Sequence, residues 1–143
     1  MSLTAAEIEA VVGELAVLAG ARVDDVRVHT ERALTLELAG RSGRARLLLS
    51  AEPDVTRLHA ASTRPPRGGP PSAFQQLLRR ELGGARLAAL EALPGDRIVA
   101  LRFDARGGAL RLVAELTGRH GNVFLVDAGG VIRASAGRNL SQR

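Results

Sequence analysis

Asp96 and Arg97 form an acidic–basic pair in the stretch LPGDRIVALRF, residues 93–103, just before an apolar run typical of a strand. An arginine at such a position can donate two parallel hydrogen bonds to a phosphate or a purine edge, or stack on an unpaired base. The aspartate can accept from exocyclic amines or fix the orientation of the guanidinium. The same residues also suit an ordinary turn, because Asp commonly follows Pro-Gly in turns, and the residues alone favour that turn.

Five further polar residues are secondary candidates for contact with nucleic acid: Arg79 and Arg80 on a predicted helix, and Arg119, His120 and Asn122 in the segment GRHGN. For the two helical arginines, a solvated helix face is the favoured alternative. In GRHGN, the two glycines also fit a hairpin whose turn Asn122 ties by bonding to backbone amides. Both interpretations of that segment stay open.

Catalytic and metal sites are not indicated. The chain has no cysteine, which excludes disulfides, Cys-ligated metal sites and a thiol nucleophile. His29, His59 and His120 lack the i, i+4 spacing of a helical metal site, and no two carboxylates are placed as an acid/base couple. There is also no Gly-rich phosphate-binding loop. We therefore expect a protein that is not an enzyme and that holds no cofactor and no metal.

The charge of the chain is compatible with a polyanionic partner but does not by itself decide for one. All 20 basic residues are arginine, the net charge is +5 and the isoelectric point is about 11.4. The absence of lysine by itself fits a GC-rich genome. Phe74, Phe103 and Phe124 are the only aromatic residues, too few for a platform that stacks single strands. No apolar run approaches the roughly 20 residues of a membrane span, and no signal peptide is evident, so we expect a cytoplasmic protein with no membrane partner.

Hydrophobic periodicity predicts one domain, residues 1–143, with two helices and eight strands. The helices are predicted over residues 4–18, behind a capping box formed by Thr4 and Glu7, and over residues 72–82. The strands are predicted at residues 21–30, 33–40, 44–51, 85–93, 96–104, 109–116, 122–127 and 131–136. The proline-rich stretch 62–73 is expected to be an exposed loop.

The two halves of the chain resemble each other. LAGARVDDVRV, residues 18–28, corresponds to LGGARLAALEAL, residues 82–93, each with a helix end, a glycine, Ala-Arg and a strand. A pseudo-duplicated unit of this kind can bury its apolar faces as a sandwich. We therefore expect an α+β fold, a two-sheet antiparallel β-sandwich whose helices cover the ends.

The run PPSAFQQLLRRELGGARLAALEALPGDRIVALRF, followed by LRLVAELTGRHGNVFLVDAGGVI, resembles the N-terminal domain of the NFACT family, once labelled fibronectin-binding protein A. The resemblance covers nearly the whole chain. Six segments occur in the family's order, among them LAGARVDDVRV, LLLSAEPDVTRLHA, the proline-rich loop and the GRHGN turn. The resemblance implies a fold similar to the N-terminal domain of formamidopyrimidine DNA glycosylases, a β-sandwich with flanking helices.

The resemblance also implies a function. Members of the family are ribosome-associated quality-control factors that bind the large ribosomal subunit carrying a stalled peptidyl-tRNA. In bacteria they recruit alanyl-tRNA and add C-terminal alanine tails without a template. The family's Asp-Arg motif, matched here by Asp96 and Arg97, is associated with holding the anticodon arm of tRNA. With the resemblance, the binding site is favoured over the plain turn.

Departures from the family leave alternatives open. Members run to several hundred residues, so we expect these 143 residues to be an excised or truncated N-terminal part of a multidomain protein. The position after Phe74, often a cysteine in the family, is Gln75. A DNA-repair glycosylase-like domain is one alternative, but the N-terminal proline nucleophile of that chemistry is missing from Met1-Ser2-Leu3. Surface binding of fibronectin or fibrinogen is another, and it requires export.

Overall fold

A computed structural model describes residues 3–41, 43–53, 55–61, 72–117 and 121–136. Within these residues the chain forms two α-helices and nine β-strands, and all strand pairs are antiparallel. The first half contains α1 (Ala5–Leu15), a 3-10 helix (Ala16–Leu18), β1 (Arg22–Thr30), β2 (Ala33–Gly40), β3 (Gly43–Glu52) and β4 (Val55–Ala61). The second half contains α2 (Ala73–Leu82), β5 (Arg86–Ala92), β6 (Ile98–Ala105), β7 (Gly108–Glu115), β8 (Asn122–Asp127) and β9 (Ile132–Ser135).

Both helices begin where the sequence predicts. The Thr4 hydroxyl accepts from the Glu7 N–H at 3.1 Å, and the Glu7 carboxylate accepts from the Thr4 N–H at 2.9 Å, so the capping box is confirmed. Ser72 caps α2 in the same manner by accepting from the Gln75 N–H at 3.1 Å. No helix among the described residues is long and apolar enough to cross a membrane.

The eight predicted strands are confirmed to within two residues at each end, and one strand was missed. The missed strand, β4, buries Thr56 and Leu58, an alternation of two residues that is too short to stand out in the sequence. The predicted loop at residues 62–73 lies outside the described residues except for its last two positions.

The expectation of two separate sheets is wrong. One continuous sheet runs in the order β4-β3-β2-β1-β5-β6-β7-β8-β9. The two halves join because β1 pairs with β5 at a short crossing, where Arg22 lies opposite Arg86. Backbone hydrogen bonds of 2.7 to 2.9 Å hold this crossing, such as those from the Val23 N–H to the Ala85 carbonyl and from the Leu87 N–H to the Ala21 carbonyl. The predominantly antiparallel α+β class is confirmed.

The single sheet folds back on itself around one core. β3 contacts β7 and β8, although these strands lie far apart in the sheet order, so the sheet must curve. Buried side chains from both halves, including Leu36, Leu49, Leu101 and Phe103, belong to one cluster. Each helix packs on the first strand of the opposite half, α1 on β5 and α2 on β1.

The internal repeat predicted from the sequence appears at the crossing as a pseudo-twofold axis. Arg22 and Arg86, which face each other there, are 64 positions apart. The hydrogen bond from the Gly20 N–H to the Leu87 carbonyl has its equivalent, 64 positions along, in the one from the Gly84 N–H to the Val23 carbonyl. The pairing registers of β1 and β5 also shift at equivalent positions, between Val23 and Asp25 and between Leu87 and Ala89. The halves are therefore related by symmetry in their backbone, not only in sequence.

Candidate nucleic-acid interface

The Asp96–Arg97 pair lies in the tight connection between β5 and β6. The Leu93 N–H donates to the Ile98 carbonyl at 3.0 Å, and the Asp96 N–H donates to the Leu93 carbonyl at 3.1 Å. Gly95 has a φ of +74°, which a residue with a side chain adopts only at a cost in strain. The Pro-Gly sequence thus closes the turn, and the acidic and basic residues follow it into β6.

Asp96 and Arg97 have different surroundings. Asp96 is exposed, and its carboxylate accepts from the Arg97 backbone N–H at 2.8 Å rather than from the guanidinium. The half-buried Arg97 side chain has no hydrogen bond or ion pair to any other residue in the described part of the chain. The carboxylate therefore fixes the backbone at Arg97, while the guanidinium keeps all five of its donors for a ligand.

The end of β7 lies next to Arg97. The Leu116 N–H donates to the Arg97 carbonyl at 2.7 Å, which ties the start of β6 to the end of β7. Asn122, at the start of β8, is buried, and its side-chain oxygen accepts from the Val123 N–H at 2.8 Å. Arg119 and His120 lie outside the described residues. The backbone thus brings Leu116 and Asn122 to the same end of the sheet as the Asp96–Arg97 turn.

Arg79 and Arg80, unlike Arg97, lie close to carboxylates of the domain. The Arg79 Nε donates to the Asp25 carboxylate at 2.8 Å and to the Val26 carbonyl at 3.0 Å, which anchors α2 to β1. Arg80 is exposed and lies 3.7 Å from the carboxylate of Glu81. Because Arg79 is committed to a partly buried ion pair, a phosphate would have to compete with Asp25 for it.

The described histidines form no metal cluster. No group of three or more His, Asp or Glu side chains able to hold a metal ion occurs within the described residues. The ring of His29 is partly buried and its Nε2 lies 2.6 Å from the Thr35 hydroxyl. Burial, together with the charge of Arg27, lowers the pKa of His29 below its ordinary value of 6.5.

Two features of the site were not foreseen from the sequence. Glu9 on α1 accepts from the Gly95 N–H at 3.4 Å, so the first helix contacts the turn from 86 positions away. In addition, Arg32 occupies the position equivalent to Arg97. Its carbonyl accepts from the Ala51 N–H at 2.9 Å, just as the Arg97 carbonyl accepts from the Leu116 N–H. The internal repeat was the signal that could have revealed this second pair, Glu31–Arg32.

Relatives of known name match a large part of the chain. The Rqc2 homolog RqcH of Streptococcus pneumoniae is 31% identical over 115 residues, which are 77% of this chain and 21% of that protein. The Rqc2 homolog RqcH of Bacillus subtilis is 26% identical over 114 residues, 76% of this chain and 20% of that protein. The chain thus spans about a fifth of the length of these curated relatives.

Solved structures share the fold. The N-terminal domain of the fibronectin-binding protein PavA from Streptococcus pneumoniae matches with a TM-score of 0.88 and 28% identity, over 95% of this chain and 54% of that one. The N-terminal part of the fibronectin/fibrinogen-binding protein of Streptococcus suis matches with a TM-score of 0.90 and 25% identity, over 99% and 56%. The family model for the NFACT N-terminal and middle domains matches residues 4–142, and the chain therefore belongs to the NFACT family.

Proposed function

We propose that this chain is the tRNA-binding domain of a ribosome-associated quality-control factor. Its relatives are named Rqc2 homologs, and the NFACT resemblance implies recognition of large ribosomal subunits with stalled peptidyl-tRNA and recruitment of alanyl-tRNA for alanine tailing. The domain acts by binding rather than by catalysis, in the cytoplasm. We also propose that the domain shares its fold with the N-terminal domains of formamidopyrimidine DNA glycosylases.

The observation that carries this proposal is the unpaired guanidinium of Arg97 at an ordered turn. Most arginines on the strands and helices have a carboxylate within reach, as Arg27 does with Glu37 at 2.9 Å and Arg79 with Asp25 at 2.8 Å. In a turn fixed by three backbone hydrogen bonds, the position of Arg97 is set before a ligand arrives. A side chain on a fixed backbone binds a phosphate or a base with less loss of entropy than one on a mobile loop.

The ligand that we propose for the Asp96–Arg97 turn is the anticodon loop of tRNA. The unstacked bases of an anticodon loop present both phosphates and base edges, which suit an arginine fork beside an exposed carboxylate. Arg97 makes the larger contribution to affinity, because loss of a bidentate contact costs about 1 to 3 kcal/mol, or roughly 5- to 150-fold. Asp96 contributes by holding the Arg97 backbone and by accepting from exocyclic amines.

The test is a double substitution with a symmetry-matched control. Asp96→Ala/Arg97→Ala should weaken binding of a tRNA anticodon stem-loop, measured by fluorescence anisotropy. It should also abolish alanine tailing in a full-length protein that carries the domain, while ribosome binding persists. Glu31→Ala/Arg32→Ala removes the same residue types from the equivalent turn of the other half and should leave anticodon affinity unchanged.

A conservative change sharpens this test. Arg97→Lys should restore little of the lost affinity, because a point charge cannot reproduce the planar fork of a guanidinium. Full recovery with lysine would mean that only charge matters at this position. Normal affinity and normal tailing in the Asp96→Ala/Arg97→Ala protein would sink the assignment and leave the pair as a turn.

Binding of fibronectin is the second candidate, favoured by the names of the structural neighbours PavA and the Streptococcus suis protein. The two candidates are separated by measuring binding of the purified chain to immobilised fibronectin. Affinity for fibronectin that survives Asp96→Ala/Arg97→Ala, combined with no affinity for tRNA, would favour this second function.

A further inference from the structure

A cleft of about 870 Å³ lies at the β1–β5 crossing, away from the Asp96–Arg97 turn. Its lining includes four arginines, Arg22, Arg41, Arg44 and Arg86, and no aspartate or glutamate among the residues that the structure describes. The size falls within the range of pockets that hold small ligands or a nucleotide. A cleft lined by one sign of charge concentrates ions of the opposite sign.

The pseudo-twofold symmetry of the crossing places two of these positive charges, those of Arg22 and Arg86, next to each other. Arg22 and Arg86 are directly opposite each other in neighbouring strands, where like charges are destabilising. Asp24 neutralises Arg22 from 3.1 Å, measured to the Arg22 Nη2, whereas in the described part of the chain the Arg86 side chain bonds only to the Gly20 carbonyl, 3.0 Å from its Nη1. A carbonyl dipole neutralises no charge, so an excess of positive charge remains at the crossing.

The other two arginines are exposed at the β2–β3 hairpin. Arg41 and Arg44 have no hydrogen bond or ion pair to any residue in the described part of the chain. Carboxylates are available nearby, since Asp24 and Glu37 line a smaller adjoining cavity, but those acids are bound to Arg22 and Arg27. Within the described residues the cleft therefore has free donors on Arg41 and Arg44, and Asp24 offsets the charge of Arg22 alone.

Apolar residues also line the cleft. Among them are Val17, which is 85% exposed, and Leu18, both on the 3-10 helix. Guanidinium planes beside apolar side chains suit a ribose-phosphate chain, because the planes can bond phosphates or stack on bases while the apolar side chains contact sugar carbons. An acidic protein segment would use the charges but would gain less from planar stacking.

We propose that this arginine cleft binds the phosphate backbone of RNA as a second contact, independent of sequence, alongside the Asp96–Arg97 turn. The inference rests on the proposed function in that RNA is the ligand. The seven residues of β5 separate the cleft from the turn by roughly 20 Å at about 3.3 Å per residue. One RNA molecule contacting both would be fixed in register by the turn and held by charge at the cleft.

The test compares two variants of equal charge. Arg41→Ala/Arg44→Ala removes the two unpaired cleft arginines, and Arg57→Ala/Arg111→Ala removes two exposed arginines elsewhere on the sheet as the control. The probes are a labelled 20-nucleotide unstructured RNA and an anticodon stem-loop, each titrated at several salt concentrations. Thermal melting checks folding, and Arg41→Gln/Arg44→Gln provides a second version of the cleft variant.

The cleft variants should bind both RNAs roughly 10- to 30-fold more weakly at 0.1 M salt. The slope of log affinity against log salt should fall by about 1.4, because each single-strand phosphate contact contributes about 0.7. Cleft variants that match the control in affinity and slope would overturn the proposal. Competition with polyglutamate is a second check. If polyglutamate displaced the labelled RNA as effectively as competing RNA of equal charge, the cleft would bind acidic polypeptides and the proposal would be overturned.

Failure of this proposal is distinguishable from failure of the tRNA site. If Asp96→Ala/Arg97→Ala weakens only the stem-loop while the cleft variants match the control, the cleft proposal fails and the anticodon site stands. If the cleft variants weaken both RNAs while Asp96→Ala/Arg97→Ala binds normally, the cleft proposal stands and the anticodon site fails.

Discussion

At the scale of single residues, Arg32 and Arg97 show how two equivalent positions come to differ. Both carbonyls accept from the neighbouring strand, but the Arg32 N–H donates to Glu52 at 2.9 Å, whereas the Arg97 N–H donates to its own neighbour, Asp96. The Arg32 Nε is excluded from solvent and has no hydrogen-bond partner. The Arg32 backbone is therefore bound by Glu52 at the end of β3, whereas the Arg97 backbone is bound by the adjacent residue, Asp96.

His29 should make stability depend on pH. Because its pKa is lowered in the folded protein, the unfolded chain binds a proton first as the pH falls through about 6.5. The stability contributed by the neutral ring is complete above that pH and is lost as the pH falls toward the folded pKa. Melting temperatures at pH 7.5 and 5.5 should therefore drop less for His29→Gln than for the unchanged protein. An equal drop in both proteins would contradict the role of His29.

At the scale of elements, polar side chains of α2 bind this helix to β1 of the other half. The Gln75 side-chain oxygen accepts from the Val28 N–H at 2.6 Å, and this joins α2 to β1 beside the Arg79–Asp25 pair. Gln75 therefore has a structural role. It satisfies a backbone donor that the sheet leaves unpaired.

Replacement of Gln75 by methionine tests this contact at nearly constant volume. The change leaves the Val28 N–H without its acceptor at a buried site, which should cost about 1 to 3 kcal/mol in the free energy of unfolding. Urea denaturation measures the loss, and Gln76→Met, at an exposed position of the same helix, is the matched control. Equal stabilities of the two variants would show that packing alone holds α2.

The elements were largely predictable from the sequence, and their connection was not. Apolar spacing and the Thr4 capping box located both helices, and alternation located eight strands, because these signals are local. β4 was missed because its buried residues Thr56 and Leu58 form too short an alternation. The β1–β5 pairing was missed because alternation tells which face a residue occupies, not which strand edge it joins.

The residues of the candidate site could be predicted from the sequence, but their contacts could not. The sequence predicts a Pro-Gly turn before Asp96 and Arg97, and the structure has that turn. The tie from Leu116 to the Arg97 carbonyl and the contact of Glu9 with Gly95 join residues far apart in sequence, so no local pattern encodes them. The assignment of the pair to tRNA stays a prediction.

At the scale of the whole molecule, the pseudo-twofold crossing predicts equal effects of paired substitutions. Gly20 has a φ of +94° and Gly84 a φ of +79°, and a Cβ at either would meet no atom within 4 Å. Alanine at either position therefore costs only backbone strain, about 1 to 2 kcal/mol in the free energy of unfolding. Gly13→Ala, inside α1 with open space around it, should instead stabilise by roughly 0.5 to 1 kcal/mol. Costs for Gly20→Ala and Gly84→Ala that differ by more than about 1 kcal/mol would contradict the equivalence of the halves.

The crossing of β1 and β5 has the geometry of contact between two identical subunits. In an isologous interface, residue i of one copy meets residue j of the other while j meets i, and here the chain meets itself in this way with Arg22 opposite Arg86. Each helix also contacts the first strand of the opposite half, as elements at a subunit interface do. This is the form that tandem fusion of a half-sized ancestral gene leaves behind. Such an ancestor would have been a homodimer with two identical acidic–arginine turns, one of which was free to diverge once both copies shared a single chain.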